Sequence, residues 1–130
     1  MKLLIDTHVF LWYIGADDKL PARFLEEIRN PENQVFLSVV SLWEITIKYQ
    51  IGKLPLPEPP QLFIPTERGR HLIDSLPLNE ESVRYLANLP QLHRDPFDRM
   101  LICQAQANQM TLVTSDSAIL QYSVTSLPQT

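Results

Sequence analysis

Short apolar runs alternate with longer helical stretches along this chain, and that alternation constrains its fold more than any other feature. Residues 2–6 (around Leu3-Leu4-Ile5), Val35-Phe36-Leu37 and Leu112-Val113-Thr114 are too brief for helices and read as buried strands. His71–Leu76 is expected as a strand between the second and the last of these, and Val124–Leu127 is a candidate fifth. The intervening stretches read as helices. Thr7–Ile14 is apolar and aromatic and runs into Gly15. Residues 21–29 set Phe24, Leu25 and Ile28 against Glu26, Glu27 and Arg29, and Asn30-Pro31 stops them. Residues 79–86 and 95–108 follow, the second opened by Asp95 as N-cap and Pro96 at the first position. Residues 115–120 form a short helical turn. Strands alternating with helices predict an α/β fold, with helices on both faces of a parallel sheet of four to five strands. A length of 130 residues suits one such domain over 1–130.

Two stretches are less direct. Trp43, Ile45, Ile47, Tyr49 and Ile51 alternate with polar residues, which is a strand signal. Ser41-Leu42-Trp43-Glu44 matches a capping box, and Gly52 can end a helix, so a helix is expected over 42–51. Leu54 to Pro65 holds five prolines and is expected as a loop, with at most a short helix near Gln61–Phe63.

Four carboxylates lie at the edges of these segments. Asp6 closes the first strand, Asp116 follows the last, and Glu44 and Asp98 each fall in a first helical turn. Each has a purely structural explanation. Glu44 as third residue of the capping box would reach back to the cap amide. Asp98 would occupy the same position in the helix capped by Asp95, where the helix dipole favours an acid. Asp116 could cap the turn after its strand. Asp6 alone has no partner nearby in sequence. In parallel α/β sheets ligands bind beyond the carboxyl ends of the strands, so the four can converge there. Converging carboxylates need a cation, and hard oxygen donors select Mg²⁺ or Mn²⁺. Metal-assisted phosphodiester hydrolysis is then the leading chemistry.

Composition narrows the alternatives. A net charge of −4 argues against gripping nucleic acid by charge alone, although clustered acids lower the count. No apolar run approaches a membrane span, and the short start cut off by Asp6 is not a secretory signal. The lone Cys103 precludes an internal disulfide, reads as a buried inert thiol and fits a reducing, cytoplasmic setting. With only Gly15, Gly52 and Gly69 there is no phosphate-cradling loop. His8, His71 and His93 lack zinc-type spacing. His8 also occupies the position where a haloacid-dehalogenase-type phosphohydrolase needs a second acid. Trp12, Trp43 and Tyr49 are expected to pack in the core or at an interface rather than stack on bases. Arg99, directly after Asp98, is the candidate phosphate contact.

Four segments in order resemble the PIN-domain ribonucleases. They are Leu3-Leu4-Ile5-Asp6-Thr7-His8, Ser41-Leu42-Trp43-Glu44-Ile45, His93 through Ile102, and Leu112-Val113-Thr114-Ser115-Asp116. The nearest branch is the VapC-like toxins of type II toxin–antitoxin pairs. His8 departs from the Asn that many members carry. The resemblance spans essentially the whole chain and implies a three-layer α/β/α fold with a short parallel sheet. It implies that Asp6, Glu44, Asp98 and Asp116 hold Mg²⁺ or Mn²⁺, with Thr7, Thr114 and Ser115 orienting a carboxylate or water. It also implies an RNA substrate, a cognate antitoxin and a homodimer, for which Val9–Tyr13 and the helix at 21–29 are candidate surfaces. The alternative is a catalytically silent PIN-like module that binds RNA or protein.

Overall fold

The computed structural model describes all residues, Met1–Thr130. Four parallel strands, β1 (Lys2–Ile5), β2 (Gln34–Ser38), β3 (Asp74–Leu76) and β4 (Thr111–Val113), form one sheet in the order β3-β2-β1-β4. The register pairs Leu4 with Phe36 on one side and with Leu112 on the other. β1 is thus central, and Leu3, Leu4 and Ile5 are fully buried.

Alternation along the strands sorts the core into two layers, because successive side chains point to opposite faces. Leu3, Ile5, Val35, Leu37 and Val113 pack with α1 (Thr7–Ile14), α2 (Ala22–Arg29), α3 (Val39–Gln50) and α4 (Pro60–Arg70), through Phe10, Phe24, Ile45 and Ile64. Leu4, Leu76 and Leu112 pack on the other face. Their partners there are Ile102 and Cys103 of α6 (Pro96–Ala107) and Ile119 of α7 (Ser117–Leu120). The remaining helix, α5 (Glu80–Tyr85), continues into a 3-10 turn at Leu86–Asn88. This is the three-layer α/β/α arrangement. Cys103 is buried, as expected.

Several boundaries differ from the sequence reading. Residues 42–51 are helical, but α3 starts earlier, with Ser38 as its cap accepting from Val40 N at 2.9 Å. Ser41 is therefore third in the helix and Glu44 sixth, which overturns the capping box. Strand passes into helix at Ser38 without a loop, so the first turn is complete before Ser41. The prolines did not prevent α4. Pro60 sits at its first position, where no N–H is needed, and Pro65 is accommodated inside it. The expected strand at His71–Leu76 shortens to Asp74–Leu76, because His71 caps α4 and Leu72 takes φ 56°. The candidate fifth strand is only a bridge between Leu112 and Ser126. Of the candidate interface surfaces, Val9, Phe10, Phe24 and Ile28 are buried in the core, while Leu11, Trp12 and Tyr13 are half-buried and pack against it.

Strand order fixes where a site can form. The chain moves from β1 to β2 to β3 in one direction, then returns to place β4 on the other side of β1. The β1/β4 boundary is the topological switch point, and a crevice opens there beyond the carboxyl ends. Asp6 follows β1 and Thr114 follows β4.

Candidate active site

Asp6 is buried at the start of α1 and caps it, accepting from Val9 N at 2.7 Å through Oδ1. Its other oxygen accepts from the Thr114 hydroxyl across the β1/β4 boundary. Thr114 Oγ1 also accepts from Asp116 N at 3.1 Å, so one hydroxyl aligns both strand-end acids. Asp116 caps α7, accepting from Ala118 N at 2.9 Å, and is half-buried.

Glu44 enters from α3 and is 3% exposed. Thr7 Oγ1 lies 2.8 Å from both Ser41 Oγ and Glu44 Oε1. A carboxylate only accepts, so the Thr7 proton goes to Glu44 and Ser41 donates to Thr7. Lys48, one turn on, places Nζ 2.6 Å from Glu44 Oε2. Both oxygens of Glu44 are therefore engaged.

Asp98 enters from α6 as its third residue, behind the cap Asp95, which accepts from Phe97 N and Asp98 N at 2.9 and 3.0 Å. Asp95 is thus the cap, as expected. Asp98 Oδ2 lies 3.3 Å from His93 Nε2. His93 Nδ1 is 2.8 Å from the Tyr122 hydroxyl, which also accepts from Leu92 N, His93 N and Arg99 Nη1 at 3.2, 3.1 and 3.0 Å. A phenol has one proton to give. With three donors aimed at its oxygen, that proton goes to Nδ1, which leaves Nε2–H to donate to Asp98. Tyr122 and His93 thus orient Asp98 from behind. The sequence reading gave His93 no such role and did not single out Tyr122. No spacing could have found the pair, since 29 residues separate them.

The electrostatics agree with a common crevice. Burial pushes the Asp6 carboxyl above its ordinary value, against its bonds to Thr114 and Val9, and Asp116 adds repulsion. Burial, Asp95, Asp116 and Glu44 together push Asp98 up to about 6, against the bond from His93. Asp116 is therefore within reach of both Asp6 and Asp98, and Glu44 within reach of Asp98. Of the other expected residues, Thr7 and Thr114 belong to the network. Ser115 is half-buried and holds no side-chain hydrogen bond. Arg99 commits Nη1 to Pro90 O at 2.8 Å and to Tyr122.

The donor set fits a hard divalent ion: every donor is an oxygen, the repulsion is only partly offset by Lys48, and Asp98 and Asp116 each keep an uncommitted oxygen. In this structure, however, no three Asp, Glu, His or Cys side chains meet at one ion-sized point. Side-chain rotation on binding would have to close that gap.

A family model for the PIN domain matches residues 3–124. Ribonuclease VapC16 of Mycobacterium tuberculosis is 42% identical over 43 residues, which are 33% of this chain and 30% of that relative's length. The chain is also similar in fold to VapBC2 from Rickettsia felis bound to a promoter DNA fragment, with a TM-score of 0.71 at 18% identity over 98% of each chain. A toxin–antitoxin complex from Klebsiella pneumoniae gives 0.64 at 14% identity, again over 98% of each chain. No helix here is long and apolar enough to cross a membrane.

Proposed function

This chain belongs to the PIN-domain family, and on that premise we propose that it is a single-domain, metal-dependent endoribonuclease, the toxin of a type II toxin–antitoxin pair. The observation that supports the reading is that Asp6, beyond β1, and Asp98, on α6, both feel the charge of Asp116, beyond β4, and that Asp98 also feels that of Glu44. These four would hold Mg²⁺ or Mn²⁺. When bound, the ion makes water more acidic and offsets charge on the phosphoryl oxygens.

The chain's own residues do the rest. Thr114 fixes Asp6 and Asp116, Thr7 fixes Glu44, and Ser115 and Arg99, each next in the chain to one of the four acids, would contact water or phosphate. Asp98 is the better general base, because both oxygens of Glu44 are already committed to Thr7 and Lys48. Water attacks phosphorus and passes its proton to Asp98. The bond to the 3′ oxygen breaks, and that oxygen takes a proton from solvent, giving a 5′-phosphate and a 3′-hydroxyl. Similarity to a ribonuclease and to a toxin–antitoxin complex supports RNA as substrate and an antitoxin as partner. A homodimer belongs to the same reading.

Asp6→Asn tests it. The variant should lose Mn²⁺-dependent RNA cleavage while keeping its circular dichroism spectrum, and full activity would overturn the proposal. A second reading, the catalytically silent PIN-like module, is favoured by the lack of three groups meeting at one point. Calorimetric titration with Mn²⁺ separates the two, since the silent module binds none.

A further inference from the structure

Trp43 is expected in the core or at an interface, and at 59% exposed it is not in the core. It stands on α3 one residue before Glu44. Its ring meets that of Phe97, one residue before Asp98 on α6, with centroids 5.1 Å apart and planes at 87°. The perpendicular contact braces the indole, which stays more than half exposed. Beside it opens a cavity of about 210 Å³, walled by Val40, Trp43, Leu86 and Met100, with Arg94 and Arg99 as its charged members. No acid lines it. Arg94 is exposed and takes part in none of the chain's ion pairs. Pockets for drug-sized ligands usually hold roughly 300–1,000 Å³, so this one suits a single planar ring system.

We propose that this cavity is a nucleobase subsite: a base of single-stranded RNA beside the scissile phosphate stacks on Trp43, and Arg94 meets the phosphate of that nucleotide. The proposal rests on the ribonuclease reading and adds how substrate is held. Single-stranded RNA is recognised by stacking unpaired bases on aromatic and guanidinium planes. The acidic site and a net charge of −4 repel RNA, so a nearby aromatic face flanked by cations supplies the attraction they lack. Trp43 and Phe97 directly precede Glu44 and Asp98 in the chain, which keeps a base stacked there in the neighbourhood of the site. A second copy is a poorer occupant, because an isologous contact over this face would bury Arg94 on both copies against a cavity that holds no acid. An apolar protein segment would leave Arg94 without a partner.

The test uses a labelled, randomised single-stranded RNA pool and the full chain. Affinity is measured on the Asp6→Asn background and cleavage on the native site with Mn²⁺. Loss of a stacked base is worth about 1–3 kcal/mol, so Trp43→Ala should weaken RNA binding roughly 5- to 150-fold. It should raise KM rather than lower kcat, and leave the calorimetric Mn²⁺ affinity within about twofold. Trp43→Phe should recover most of the loss. Arg94→Ala should reduce the slope of log affinity against log salt by about 0.7. The two tryptophans give two indole N–H resonances, and RNA should move the one that Trp43→Phe removes. Unchanged RNA affinity in Trp43→Ala, with the parent binding and cleaving, overturns the subsite alone. The same result with loss of dimer or of antitoxin binding assigns the face to a protein partner instead. A parent that neither binds nor cleaves RNA overturns both the subsite and the ribonuclease reading.

Discussion

Asp98 is the residue at which the cost of assembling like charges is most visible. Its carboxyl is held near 6, against 3.8 for the free side chain, by burial first and by Asp95, Asp116 and Glu44 after it. The folded metal-free protein therefore binds this proton more tightly than the unfolded chain. The stability it contributes is fully present below 3.8 and is lost as pH rises through about 6. Asp98→Asn removes the charge and keeps an acceptor for His93. At pH 7.5 without metal it should be more stable than the parent by about 1–2 kcal/mol, after deducting the lost helix-dipole attraction. Urea melts should show that advantage shrinking toward pH 5. Thr114 acts in the opposite sense. Thr114→Val strips a donor from buried Asp6 and an acceptor from Asp116 N, and should cost about 2–3 kcal/mol in the same melts. At this scale the sequence located the acids, and its family resemblance pointed to Thr7 and Thr114 as supports, but neither which acid each one holds nor the bracing by His93 and Tyr122. Thr7 and Glu44 are 37 positions apart, and nothing local pairs them.

Elements set the angles at which these groups enter. The β2-to-α3 junction has no loop, and Ser38 also bonds Gln104 of α6, which in turn reaches Pro77 O at 3.3 Å. One buried serine thus ties α3 to α6 behind Glu44 and Asp98. On the opposite side, Tyr122 gathers Leu92, His93 and Arg99 around one oxygen. Tyr122→Phe should cost about 1–3 kcal/mol through the donors it strands. It should also weaken Mn²⁺ binding by calorimetry, because His93 loses its fixed tautomer. A helix that costs more than it needs to is α4. Pro65 is exposed and cannot bond to the Gln61 carbonyl. Pro65→Ala should therefore stabilise by about 1–2 kcal/mol, the gain in the helix exceeding the added freedom of the unfolded chain. The prolines misled the sequence reading because their number was weighed and their positions were not. Pro60 is tolerated at the first position, and tertiary packing of Ile64, fully buried, holds the helix across Pro65.

For the whole molecule, ion binding and folding are linked. An ion that binds only the folded state stabilises it by about 2.7 kcal/mol at 100 times its Kd. Mn²⁺ should thus raise the melting temperature of the parent and leave Asp6→Asn unmoved. The rise should fade as pH drops through 6, where Asp98 takes a proton instead. By itself the sequence determined the α/β class, the parallel central strand, the strand-end positions of Asp6 and Asp116, and Asp95 as cap with Asp98 three residues on. These follow from local rules: apolar runs, periodicity and cap chemistry act over a few residues. Tertiary structure alone decided the strand order that makes β1/β4 the switch point, the inward turn of Glu44, and the bracing of Asp98 through His93 and Tyr122. It alone left Trp43 outside the core. Those depend on contacts between segments tens of residues apart, where packing rather than spacing selects the partner.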